Sequence, residues 1–97
     1  MYRKLKNAYS ISDEKEIPFI DGWLEVNNNR EIKSWKVTLV IIENGKFFSA
    51  HMRNRIELNF KFLTDEEEEL QGRVFVNHIT TGNAGVYIEL IGKSPLD

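Results

Sequence analysis

The sequence predicts an all-β, mainly antiparallel fold of about six strands in a small barrel or sandwich, with at most one short helical turn near residues 65–70. Three observations carry that expectation. Residues 55–63 alternate without a break, Ile56, Leu58, Phe60 and Phe62 against Arg55, Glu57, Asn59 and Lys61, as a half-buried strand does. Asn44-Gly45 stands between two apolar runs, and a two-residue hairpin turn needs residues that accept positive φ. Short β-rich runs recur at near-regular spacing between Gly, Asn and Pro clusters, the pattern of small barrels and sandwiches. A barrel is favoured because an open sheet of this size would expose its edges.

The elements follow in order. Residues 1–16 are polar and charged and read as an N-terminal arm, ending in a short helical turn capped by Ser12. Residues 17–97 read as a single barrel-like domain, and 97 residues suit one domain with one core. From Pro18 the rhythm becomes period two, with Ile20, Leu24 and Val26 on one side and Asp21, Trp23 and Glu25 on the other. Asn27 to Glu31 is a turn by composition. Ser34 to Ile42 reads as a central strand, apolar on both faces near Ile41 and Ile42, and Lys46 to Met52 is expected to pair with it through the Asn44-Gly45 hairpin.

After the alternating strand, Thr64-Asp65-Glu66-Glu67 has the form of a capping box. Asp65 to Leu70 is therefore expected as one or two helical turns, or else as an extended acidic loop. Leu70 to Ile79 and Val86 to Ile91 complete the strands, joined by a glycine loop over Thr80 to Gly85.

The chemistry is bounded mainly by what is missing. Net charge is −2, so no global basic field addresses nucleic acid, although net charge hides local distribution. The chain has no cysteine, which removes disulfides, thiol catalysis and thiolate metal sites. No apolar stretch follows the basic start Met1 to Lys6, so a secretory signal is not expected. The longest apolar run, Val37 to Ile42 interrupted by Thr38, is too short to cross a bilayer. A cytoplasmic location and no membrane partner are expected. His51 and His78 both fall in expected strands, with no acidic partner placed beside either by spacing, and no Gly-x-Ser-x-Gly elbow occurs. The acidic run 65–69 lacks the alternating ligands and glycine of a calcium loop. Thr81 to Gly85 lacks a phosphate-loop pattern and precedes a strand. No enzyme activity, metal or cofactor is expected.

What remains is aromatic surface. If the alternation holds, Trp23, Phe47, Phe75 and Tyr87 lie opposite the clearest core sets, Arg73 shares a face with Phe75, and Trp35 is ambiguous. Aromatics among Arg and Lys on a β surface anchor protein interfaces or stack nucleic-acid bases. In a sandwich they would instead form a second buried layer. The leading expectation is a non-enzymatic module that binds a protein partner or itself as a homo-oligomer, with Trp23, Phe47, Arg73, Phe75 and Tyr87 as the candidate interaction surface. A single-stranded nucleic-acid binder using Arg3, Lys4, Lys6, Arg53, Arg55 and Arg73 ranks below it, and a small-ligand barrel using His51 or His78 is the third reading.

Overall fold

In the computed structural model, which describes residues 2–28, 33–42 and 45–97, the chain forms β1 (Tyr2–Ser10), β2 (Lys15–Glu16), β3 (Asp21–Asn28), β4 (Lys33–Ile41), α1 (Gly45–Arg53), β5 (Leu58–Thr64), β6 (Glu69–Thr81) and β7 (Val86–Gly92). All pairings are antiparallel. The order β1-β3-β4-β7-β6-β5 closes through β5 back onto β1, and β2 is a short extra strand on β1. The all-β barrel expected from the alternation is therefore present, as a closed six-stranded barrel.

Period two places the core. Leu24 pairs with Val37, Val37 with Leu90 and Leu90 with Val76, and all four are fully buried. Leu58, Phe60 and Phe62 alternate inward along β5 as expected, with Phe60 and Phe62 stacked at 5.5 Å. Trp35 belongs to the interior. Its indole meets Phe62 edge-on at 6.2 Å, and its Nε1 donates to the carbonyl of Ser94 at 2.7 Å. The ring lies over Gly72 and Gly92, where any Cβ would overlap it. The C-terminal tail seals this end, with Gln71 and Asp97 exchanging backbone hydrogen bonds.

Four expectations are corrected. The strand over Lys46 to Met52 is the helix α1, and Asn44 lies outside the described residues. Gly45 to Arg53 contains no β-branched residue, whereas Ala, Met, Lys and Arg all favour helix. Phe48 buries to 1% exposure while Phe47 packs on His51 one turn later, with ring centroids 4.5 Å apart, which is helical spacing. The residues expected as an arm largely form β1, a barrel stave between β3 and β5. A register shift between Leu5 and Asn7 breaks its alternation, so Leu5, Ala8 and Ser10 point inward. Residues 11–14 form a turn in which the Ser12 hydroxyl accepts from the Asn59 N–H.

The third correction concerns the helical turn expected after Thr64. Thr64 does cap, accepting from the N–H groups of Glu66 and Glu68, but it caps a hairpin. Its own N–H donates to the Glu68 carbonyl, and Glu67 takes φ 64°, as in a type I turn followed by a left-handed bulge residue. The fourth is burial: Ile20 and Ile56, which alternation places on the apolar faces with Leu24 and with Leu58, and Ile42, in the stretch expected to be apolar on both faces, are exposed. The turn expected at Asn27 to Glu31 falls mostly outside the described residues; Asn27 and Asn28 end β3.

The end of α1 yields a prediction. Ile56 N–H donates to the His51 carbonyl and Arg55 N–H to the Met52 carbonyl, with Arg55 at φ 54°. This is a Schellman motif whose left-handed position is normally glycine. Replacing the exposed Arg55 with glycine removes the left-handed penalty but adds unfolded-state entropy, so a net gain of about 0.5–1 kcal/mol is expected. A rise in the urea midpoint at constant slope would show it; an unchanged or lower midpoint would contradict it.

Candidate functional site

Trp23, Phe75, Tyr87 and Arg73 lie on the outer wall of the barrel, on β3, β6 and β7. Register separates them. Trp23 shares a row with Thr38, Glu89 and His78. Phe75 shares the next row with Ile91 and Lys36, and Tyr87 lies between Val40 and Thr80. Trp23 and Phe75 are three strands apart, roughly 14 Å at the usual spacing. Polar neighbours on this wall are engaged with one another: Arg73 with Glu57 at 3.4 Å, Asn77 with Glu89 at 3.2 Å and Lys36 with Glu25 at 3.6 Å. Lys93 lies over Phe75 at 5.7 Å. Phe47 is not on this wall; α1 carries it to one pole of the barrel.

The basic residues of the N-terminal stretch face the acidic hairpin. Arg3 Nε donates to Glu68 at 2.7 Å and lies 3.3 Å from Glu66, while Lys6 meets Glu67 at 2.9 Å. The Glu68 hydrogen bond, opposed by desolvation, holds the Arg3 guanidinium above its ordinary pKa. Lys61 lies 3.6 Å from Glu69. Arg53 and Arg55 are at the opposite end of β5, so the six cations enlisted for nucleic acid do not share one surface.

His51 sits on α1 facing the turn after β1. Its Nδ1 lies 2.7 Å from the Phe47 carbonyl, which can only accept, so Nδ1 carries the proton. Nε2 lies 3.9 Å from Asp13 Oδ2, and that carboxylate accepts from the Ser10 hydroxyl at 2.8 Å. Serine, aspartate and histidine thus converge, but the serine bonds the carboxylate and not the imidazole. A nucleophile–base pair requires the reverse order. The contacts tie α1 to the 11–14 turn. His78 is exposed on the outer wall beside Glu89. Among the described residues no three His, Asp or Glu side chains converge as a metal site.

An apolar groove of about 300 Å³ opens beside α1. Its floor is Ile41 at the end of β4 and Phe48 from α1; Phe47 forms one side and the connector Ile17 to Ile20 the other. The connector is held at both ends, by Ile17 N–H donating to the Ala8 carbonyl and Ile20 N–H to the Val40 carbonyl. Held so, it buries Ile17 and leaves Ile20 52% exposed; Ile42, past the end of β4, is 68% exposed. Of the four large apolar side chains exposed among the described residues, two line this groove. Sequence reasoning found Phe47 but not its setting. The signal for Ile20 and Ile42 was their place at strand ends, beside Pro18 and before Asn44-Gly45, where alternation no longer dictates burial.

Fold and groove define a class: a small closed antiparallel barrel capped at one pole by a short helix with an apolar groove beside it. No protein-family model matches the chain, and no curated protein or solved structure is significantly similar to it. No helix among the described residues is long and apolar enough to cross a membrane.

Proposed function

We propose that this chain is a non-enzymatic, cytoplasmic interaction module that binds a segment of a partner protein in the groove beside α1. The observation that carries the reading is the pair Ile20 and Ile42, exposed at 52% and 68% on a groove floored by buried Ile41 and Phe48. Large apolar side chains left to water around a concave apolar floor are what a partner's anchor residue covers. The outer wall supports the role less well, because its aromatics are dispersed and several of its polar groups already pair with one another. The absence of cysteine fits a reducing compartment.

A photo-crosslinking residue placed at position 42, with a second variant carrying it at position 75, tests this in an extract of the cells that make the protein. Position 42 is expected to capture a discrete protein, and the additional change Ile20→Asp is expected to abolish the capture. Because Ile20 is exposed, that change should move stability by no more than about 0.5 kcal/mol. Capture at position 75 with none at position 42 would reject the groove.

A further inference from the structure

Lys15 is the one charged side chain among the described residues lining the groove. Its ammonium lies 5.2 Å from the centroid of the Phe47 ring. No carboxylate among the described residues stands within ion-pair distance of it. Two of the carboxylates nearest to it in sequence are directed elsewhere, Asp13 towards Ser10 and His51 and Glu16 towards the Asn7 amide, and Glu14 is not within ion-pair distance of it.

Among the described residues, most cations elsewhere on the barrel are paired, Lys93 over Phe75 being an exception. Arg3, Lys6, Lys36, Lys61 and Arg73 each meet a carboxylate. The acidic run 65–69 that serves three of them lies at the far end of β5 from α1. Residues 45–56 hold Lys46, His51, Arg53 and Arg55 and no acid, and Lys46, Arg53 and Arg55 have no carboxylate partner among the described residues. The net charge of −2 is thus unevenly spread, with Lys15, Lys46, Arg53 and Arg55 lacking, among the described residues, the carboxylate partners that serve Arg3, Lys6 and Lys61.

Resting on the reading above, we infer that the groove takes an acidic–apolar protein segment: a bulky apolar side chain seated between Ile20, Ile42, Phe47 and Phe48, with an adjacent aspartate or glutamate held by Lys15. An ammonium over an aromatic face is weakly held. A carboxylate at a partly desolvated rim offers it a charge-assisted hydrogen bond and fixes the orientation of the bound segment. Size favours a segment over a whole small ligand. About 300 Å³ is at the bottom of the roughly 300–1,000 Å³ range of small-molecule sites, and its exposed isoleucines leave it open to solvent.

The test selects a phage-displayed random dodecapeptide library on the wild-type protein and on Lys15→Glu and Lys15→Arg. Lys15 is exposed on a two-residue strand, so neither change threatens the fold. Wild type and Lys15→Arg are expected to select an acid next to a bulky apolar residue, and Lys15→Glu to select lysine or arginine there. A peptide chosen by wild type should bind Lys15→Glu about tenfold more weakly, and Ile42→Asp should not bind it. Apolar peptides without charge preference that still require Ile42 would overturn the acidic inference and leave the binding-module reading standing. No enriched peptide, or binding indifferent to Ile42→Asp, would overturn that reading itself. Methyl spectra of Ile20 and Ile42 read the rival occupants. Tighter response to sodium decanoate than to the selected peptide, or a response to protein concentration alone, would replace the segment with a fatty carboxylate or a second copy.

Discussion

Gly92→Ala is expected to destabilise the barrel by about 3 kcal/mol, at the upper end of what overpacking costs. A Cβ at position 92 would lie 2.1 Å from Trp35 Cε2 and 2.4 Å from Cδ2 and Nε1. The indole has little room to retreat. Gly72 lies beneath its outer edge, where a Cβ would come within 2.6 Å of Cζ2; Phe62 meets it edge-on; and the Nε1 hydrogen bond to Ser94 fixes its rotation. A ring so held cannot yield without moving β7 or breaking that bond. Chemical denaturation measures the cost, and a double-mutant cycle tests the cause. With Trp35→Leu in place the added methyl should cost far less, a coupling of about 1–2 kcal/mol between the sites. Additive effects would mean that the steric contact is not the reason.

Phe48→Ala should cost about 3–4 kcal/mol, within the range for truncating a fully buried phenylalanine, and Phe47→Ala only about 1 kcal/mol. Phe48 is the one residue of α1 that is fully buried, and it closes the barrel end beneath the groove. Phe47 is half-buried against Phe48, His51 and Lys15. The ratio tests which of the two adjacent rings closes the barrel end: equal costs would contradict the burial of Phe48 beneath a half-buried Phe47. Exposing the groove floor should also raise binding of a hydrophobic dye in Phe48→Ala before global unfolding.

Legibility along the chain follows local regularity. β5 was readable because Leu58, Phe60 and Phe62 alternate strictly against polar neighbours. β4 and β7 were readable from their β-branched apolar runs. β1 was not, because its inward residues Leu5, Ala8 and Ser10 straddle a bulge and stand among Arg3, Lys4 and Lys6. Those cations resemble a solvated arm until the acidic hairpin that pairs with Arg3 and Lys6, and Asp21 near Lys4, are folded beside them. α1 was obscured by a stronger local signal, the Asn-Gly pair, although the absence of β-branched residues from Gly45 to Arg53 was there to be read. Thr64 was rightly seen as a cap, but the same oxygen geometry serves a helix start and a hairpin turn alike.

By itself, the sequence determined the fold class and the inward set of β5, because period-two alternation is a local property that fixes which side chains share a face. It also placed Trp23, Phe75 and Tyr87 on the outer wall, but not Phe47. Only the tertiary structure decided that the sheet closes, that Trp35 lies inside over two glycines, and that α1 leaves an apolar groove with Ile20, Ile42 and Lys15 at its edge. These depend on residues distant in sequence meeting at strand ends, where alternation stops and burial is set by whatever the closing barrel brings alongside.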